Sequence, residues 1–277
     1  MKAASPRRNH LYEGDCLELM ASWPSASFDH CIADPPFGIA RGNGRGGKKG
    51  LGWAFSKHVT IEETWDAAGG DFAAFNLRWL SEVCRLVKPN GNILVFGTYH
   101  NIYQLGYLLS EKLGRRVNNS IVWFKPNAQP NITARVLTES TEQIIWAVNG
   151  AAGEAPTPDG LPAQPAAKWT FNYQVAKELA GGKQMRNMWE FAVTPRSERI
   201  DTGNGVHPTQ KPLALLERLV QVMTNAEDWI LDPFGGAGTL AVAAARNGRA
   251  WTLIESQPAY ASAAAARIAA EGQTTST

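Results

Sequence analysis

Three stretches of this 277-residue chain have residue types and spacings suited to chemistry: Asp34-Pro35-Pro36-Phe37, His207-Pro208-Thr209-Gln210-Lys211-Pro212 and Asp232 to Thr239. The first follows an apolar run, Phe28 to Ala33. Such a run ending in a carboxylate reads as a buried parallel strand that delivers the acid to a sheet edge. Proline has no N–H but keeps its carbonyl acceptor. This corner therefore offers acceptors and an aromatic face and little to donate, which suits an amino group on a flat ring. Taken alone, it could equally be a strand closed by a Pro-stiffened turn.

The third stretch, Asp232-Pro233-Phe234-Gly235-Gly236-Ala237-Gly238-Thr239, lies between two expected strands, and Glu255 ends the second of them. Glycines let a ligand approach the backbone, and a carboxylate at the end of the second strand can accept both ribose hydroxyls of a nucleoside. No Gly-Lys-Ser/Thr is present, and the turn does not match G-x-G-x-x-G. A nucleoside cofactor without a pyrophosphate fits better, and S-adenosylmethionine is one. Asp15, at the end of another strand, could bind its adenine amino group. Lys211 could hold its carboxylate; in isolation it reads more simply as a surface lysine.

The elements that must position these residues follow from the apolar pattern. Strands are expected at His10 to Cys16, Phe28 to Ala33, Asn92 to Thr98, Asn118 to Phe124, Glu142 to Val148, Trp229 to Asp232 and Ala250 to Glu255. Helices are expected at Leu17 to Trp23, Asp71 to Val87, Ile102 to Lys112, Leu213 to Met223, Leu240 to Arg246 and Pro258 to Ala270. Asp15 can cap the first helix, and Pro212 suits the first turn of another. The alternation implies an α/β fold with a mostly parallel sheet covered on both faces.

Two segments stand outside this pattern. Residues 38–58 are Gly-rich and carry Arg41, Arg45, Lys48 and Lys49, with Trp53 and Phe55 among them. A basic loop with aromatics directly after the acceptor corner is a candidate for gripping a phosphate backbone. From about 149 to 205 the chain turns Gly-, Ala- and Pro-rich and then carries Trp169, Phe171, Tyr173, Lys183, Arg186, Arg196 and Arg199. These side chains could reach bases and phosphates, or belong to an ordinary insertion packed on the core.

Charge and composition narrow the field. The net charge is +2, so a polyanion would have to meet a local patch. The three cysteines, Cys16, Cys31 and Cys84, form no C-x-x-C pair. A disulfide framework or metal site is not expected, and a reducing compartment fits. No signal peptide and no membrane-length apolar run is seen. The expectation is a cytoplasmic protein, bacterial or phage-encoded.

Asp34-Pro35-Pro36-Phe37 resembles the D-P-P-Y motif of the DNA amino-methyltransferases, which act on adenine N6 or cytosine N4. Asp232 to Thr239 resembles their cofactor motif, and His207 to Pro212 resembles its companion H-P-T-Q-K-P segment. Gly14-Asp15-Cys16 and Lys183 to Trp189 are also similar to that family. The catalytic motif comes first and the cofactor motif last, the permuted β-class order, and the resemblance runs from about Leu11 to Ile268. It implies one Rossmann-like methyltransferase domain with a seven-stranded sheet, a target-recognition insertion at about 149–205 and a DNA-contacting loop at about 38–58. It also implies S-adenosylmethionine as cofactor and double-stranded DNA as partner. A homodimer and a cognate restriction endonuclease are further partners to look for; a metal is not.

The resemblance assigns catalysis to Asp34, Pro35, Pro36 and Phe37. It assigns the cofactor to Asp15, Cys16, Asp34, His207, Thr209, Lys211, Asp232, Phe234, Gly236, Gly238, Thr239, Glu255 and Ser256. DNA contacts are expected from Arg41, Arg45, Lys48, Lys49, Lys183 and Arg186. An exocyclic adenine amine is a poor nucleophile, because its lone pair is delocalised into the ring. The Asp34 carboxylate and the Pro35 carbonyl would hold its two N–H bonds, and Phe37 would stack on a base flipped out of the duplex. Phe37 departs from the more frequent tyrosine, keeping the ring face and losing the hydroxyl.

Adenine N6 is the expected target. Cytosine N4 is the alternative, although that branch more often has serine at the position of Asp34. Methylation of a protein glutamine amide uses a similar corner, but with the motifs in the opposite order. A non-catalytic relative is the reading from a different class, and the intact Asp34 and glycines speak against it.

Overall fold

The computed structural model describes residues 5–37, 72–130, 135–150, 169–203 and 205–274, with residues 272–274 described for backbone only. Eight strands form one sheet: β1 (His10–Glu13), β2 (His30–Ala33), β3 (Asn92–Gly97), β4 (Arg116–Phe124), β5 (Thr141–Val148), β6 (Met188–Glu190), β7 (Trp229–Asp232) and β8 (Ala250–Glu255). Their spatial order is β1-β8-β7-β2-β3-β5-β4-β6. Every pairing is parallel except the two made by β5, which runs against both β3 and β4.

Apolar residues occupy both faces of these strands, because helices cover both. Cys31, Ile93, Val95, Ile145, Ala147, Leu231 and Ile254 face one layer. It is built from α1 (Cys16–Ala21), α2 (Phe72–Leu86) and α3 (Ile102–Tyr107), the last continued by a π-helical turn, Leu108–Lys112. Their neighbours Ile32, Leu94, Phe96, Ile144, Trp146, Ile230 and Leu253 face the other layer. That layer contains α4 (Tyr173–Leu179), α5 (Leu213–Met223) and α6 (Thr239–Arg246). Fully buried Leu, Ile and Phe side chains contribute about 1.5–3 kcal/mol each, so the double layer dominates stability. The final helix, α7 (Pro258–Thr274), packs against β1, β8 and α6.

Most expected elements are present within a few residues, and three features differ. The sheet has eight strands rather than seven. The extra strand, β6, is three residues long and pairs in parallel with the end of β4; so short a strand has no readable alternation. Next, the stretch after Trp169 is partly built into the body of the fold. Ala176 of α4 and Trp189 of β6 are buried in the core, and Trp169 and Phe191 pack against it. Finally, Asn149 belongs to the body, where its side-chain amide donates to the carbonyls of Cys84 and Val87. The basic loop at about 38–58 lies outside the described residues, as do residues 151–168.

Candidate active site

The carboxyl ends of seven parallel strands and the start of antiparallel β5 share one edge of the sheet. In open α/β sheets the ligand crevice opens there, where the chain reverses its direction of winding. Here β7 and β2 are neighbours. After β7 the chain passes through α6, and after β2 through α2, and these helices lie on opposite faces. The two motifs, about two hundred residues apart in sequence, therefore end side by side. The cleft between them is lined by Asp34, Phe96, His207, Lys211, Asp232 and Gly236, among others.

At the β2 end, Oδ2 of Asp34 meets Nζ of Lys211 at 2.5 Å. The other oxygen, Oδ1, is buried and has no hydrogen-bond partner among the described residues. Lys211 is buried, at 8% exposure, and so is not a surface lysine. Its ammonium also lies 3.4 Å from Oε2 of Glu142 and over the rings of Phe37 (5.3 Å) and Phe96 (5.4 Å). Lys125 holds the other Glu142 oxygen at 3.2 Å. Burial raises the Asp34 pKa; the Lys211 ammonium opposes the rise and Glu142 adds to it, leaving the group above its usual range. Burial lowers the Lys211 pKa, but Asp34 and Glu142 outweigh it, so the ammonium stays charged.

At the β7 end, Asp232 is buried, and Oδ1 accepts the Phe234 N–H at 2.9 Å. Burial is the main cause that raises its pKa to about 8; the Phe234 N–H opposes the rise, and Asp34 and Glu255 add to it. The turn that follows needs glycine at two places. Gly236 has φ +50°, and a Cβ there would lie 3.2 Å from Nε2 of His207. Gly238 has φ +69°, and a Cβ there would meet Ala264 and Ile268 of α7. Gly238 is thus set for helix packing, whereas Gly236 keeps the backbone open beneath His207. Glu255 fixes the turn from β8: Oε2 accepts the Gly236 N–H and Oε1 the Gln257 N–H, both at 2.8 Å. Arg267 of α7 donates to the Ala237 carbonyl (3.0 Å) and to the Thr239 hydroxyl (2.9 Å).

The segment before α5 closes the cleft. Arg199 donates to the carbonyls of Thr194 (2.9 Å) and Pro208 (2.6 Å), and the buried Gln210 accepts the Ile200 N–H at 2.9 Å. Arg199, which could have served phosphates, is engaged in holding this loop. The His207 ring packs at a tilt against Tyr260, with centroids 4.7 Å apart, and its buried Nδ1 has no hydrogen-bond partner among the described residues. Burial, followed by Lys211, Arg199 and Arg267, lowers its pKa to about 4, so the ring is neutral at physiological pH.

The expected site residues divide accordingly. Asp34, Pro35, Pro36 and Phe37 follow β2 directly, and Lys211, His207, Asp232, Phe234, Gly236 and Thr239 gather around them. The exposed Thr209 lies at the same cleft. Glu255 ends β8, and the exposed Ser256 follows it. Asp15 caps α1, with Oδ1 accepting the N–H groups of Leu17 (2.8 Å) and Glu18 (3.1 Å). The adjoining Gly14 N–H donates to the Glu255 carbonyl at 3.0 Å. The Cys16 side chain is buried in the core, where burial is the main cause that pushes its thiol up to about 12.

Lys183 and Arg186 are exposed beside β6, four strands from β2, which at ordinary strand spacing is roughly 20 Å away. Arg41, Arg45, Lys48 and Lys49 lie outside the described residues. The sequence reading missed Glu142, Lys125 and Phe96. Glu142 is the second residue of β5, and only a strand running backwards brings its opening residues to the edge where the others end.

The DNA methylase family model matches residues 28–266. The chain belongs to the N6/N4 DNA methylase family. It is 33% identical over 267 residues to the type II methyltransferase M2.DpnII of Streptococcus pneumoniae, covering 95% of this chain and 91% of that one. It is 34% identical over 261 residues to M2.LlaDCHI of Lactococcus lactis subsp. cremoris, covering 93% and 88%. Among solved structures it is similar to the M1.HpyAVI–SAM complex, at 26% identity and TM-score 0.64, covering 94% of this chain and 98% of that one. The cytosine-N4-specific PvuII DNA methyltransferase shares the fold at 20% identity and TM-score 0.67, covering 95% and 89%.

This methylase is therefore a DNA methyltransferase that uses S-adenosylmethionine, with DNA as its substrate. The site fits that cofactor. Asp34 and Asp232 line the cleft, and Glu255 holds its Gly236 N–H, so acidic groups surround the place for a cationic sulfonium. The Gly236 backbone lies at the cleft, and the Glu255 carboxylate at the end of β8 sits beside it. No helix among the described residues is long and apolar enough to cross a membrane.

Proposed function

We propose that this methylase modifies the exocyclic N6 of a flipped adenine in double-stranded DNA, and that it serves a type II modification system. The observation that carries the reading is the buried Oδ1 of Asp34, an acceptor without a donor among the described residues, at the mouth of the cofactor cleft. A buried acceptor left unpaired costs about 1–3 kcal/mol. An amine N–H supplied by the substrate removes that cost when the base docks. The Pro35 carbonyl takes the second N–H, and Phe37 offers the face on which the ring stacks. Stacking of this kind returns about 1–3 kcal/mol toward the cost of flipping.

Bound S-adenosylmethionine supplies an electrophilic methyl group. The chain holds it through Glu255 for the ribose, Asp15 for the adenine amino group, and the Gly236 backbone with Lys211 and Thr209 for the amino-acid part. His207 lies over the turn as a neutral ring that excludes water. Aspartate at the head of the motif, with two relatives that carry type II M2 names, favours adenine over cytosine. The loop at about 38–58 would track the phosphates near the target, and Lys183 and Arg186 would meet flanking ones. The segment around 149–205 would read the site, and so short a reader favours action as a homodimer.

Methylation-aware sequencing of DNA from cells expressing the chain tests this reading. N6-methyladenine in one recurring sequence context is expected. N4-methylcytosine in its place would move the chain to the other branch.

A further inference from the structure

Four charged side chains form an alternating row at the cleft: Lys125, Glu142, Lys211 and Asp34. They come from the end of β4, the start of β5, the loop before α5 and the end of β2. Lys211 occupies Oδ2 of Asp34 at 2.5 Å and so draws on the negative charge that makes the open Oδ1 a strong acceptor for a target amine. Release of Oδ2 as the base arrives would strengthen that acceptor.

We propose that Glu142 is the positioning residue that draws Lys211 off Asp34 when the target amine docks; the inference rests on the reading of Asp34 as the amine acceptor. Three observations carry it. Oε2 of Glu142 is buried, has no hydrogen-bond partner among the described residues, and faces Lys211 at 3.4 Å. A shift of Nζ on the order of 1 Å turns that approach into a hydrogen bond and breaks the one to Asp34. Lys125 pins the other Glu142 oxygen at 3.2 Å, so the carboxylate waits in place. The Phe37 and Phe96 rings lie 5.3 and 5.4 Å from the ammonium, which remains near aromatic faces as it changes partners. The exchange conserves charge: Lys211 keeps a carboxylate throughout, and Asp34 replaces an ammonium donor with an amine donor.

A purely structural Glu142, present only to neutralise Lys125, would affect folding and leave the transfer step alone. Single-turnover methylation separates the two roles. The full chain is preloaded on unmethylated genomic DNA and mixed with saturating S-adenosylmethionine, and cofactor affinity is measured by calorimetry. Glu142→Gln keeps the shape and removes the charge. Its transfer rate is expected to fall by about ten- to a hundredfold, with cofactor affinity within about threefold of the parent. Glu142→Asp, which keeps the charge and alters the shape, is expected to regain most of the lost rate.

A Glu142→Gln protein that transfers at the parental rate would overturn the proposal, and so would a Glu142→Asp protein as slow as Glu142→Gln. If Glu142→Gln does not fold, the charge-matched pair Lys125→Met with Glu142→Gln takes its place. That pair must be slow, and a parental rate in it would overturn the proposal. Absence of methylation by the parent chain would instead refute the functional reading beneath it, and that control is read separately.

Discussion

Two groups of buried polar side chains, one at each edge of the sheet, are treated in opposite ways. At the edge where most strands begin, His30 and Asn92 are buried and fully engaged. The Asn92 N–H donates to Nδ1 of His30 at 3.0 Å, which places the ring proton on Nε2, 2.9 Å from Asp228. The Asn92 side chain donates to the carbonyls of Thr170 (2.8 Å) and Met223 (2.7 Å) and accepts the Trp146 indole N–H at 2.9 Å. At the edge where most strands end, Asp34 Oδ1, Glu142 Oε2 and His207 Nδ1 are buried without hydrogen-bond partners among the described residues. Buried polar atoms are nearly always satisfied in folded proteins, so a group of exceptions needs an explanation. The network around Asn92 is closed and serves stability, whereas the unpaired atoms around Lys211 gather at the cleft, held open for a ligand.

Substitutions at the open edge should remove function and spare the fold. Gly236→Val forces a β-branched side chain into a positive-φ position with its Cβ against His207. Cofactor affinity by calorimetry should fall by about a hundredfold or more, with the far-UV spectrum unchanged. An unchanged affinity would remove this turn from the site.

The closed edge should respond the other way. Asn92→Ala strands the Trp146 N–H and two carbonyls in the interior, and denaturant unfolding should register a loss of about 3 kcal/mol. The folded fraction should methylate DNA at the parental rate. A selective loss of transfer in this variant would break the comparison.

The pH dependence sharpens it. Asp232 has a folded pKa of about 8 against 3.8 when unfolded, so between these values the folded chain holds a proton that the unfolded chain has lost. Stability conferred by this group is present below pH 4 and declines as pH rises toward 8. The slope approaches about 1.4 kcal/mol per pH unit in the ligand-free protein. Asp232→Asn should flatten that part of the profile. Bound S-adenosylmethionine should flatten it too, because a cation beside the carboxylate favours the ionised form.

The smallest effect is expected farthest from the cleft. Lys183→Ala and Arg186→Ala should leave the single-turnover rate nearly unchanged, while each lowers the salt dependence of DNA binding by about one unit of slope. A large loss of rate from either would place the target base nearer β6 than the fold suggests.

The contrast between the edges also explains what the sequence could reveal. Asp34, Asp232 and Glu255 were legible because each closes an apolar run, and a parallel strand carries its last residue to the ligand edge. Glu142 was not legible as a site residue, because it opens a run and strand direction is not encoded in alternation. Lys211 read as an exposed lysine in isolation; only the loop fixed by Arg199 and Gln210 turns it inward. The three-residue β6 and seven-residue α4 are too short to show a period; of the aromatics that suggested base contacts, Trp169 packs against the core whereas Phe171 and Tyr173 are exposed. Gly238 appeared to belong with Gly236, yet their neighbours divide them between helix packing and the cleft.

The central claim is that the open acceptor of Asp34 receives the target amine. Its most direct test is the single-turnover methylation rate of Asp34→Ala, with the product base identified by mass spectrometry of digested DNA. The account predicts N6-methyladenine from the parent chain and a rate lower by about two to three orders of magnitude in the variant, with cofactor still bound. An Asp34→Ala protein that methylates DNA at the parental rate would contradict it.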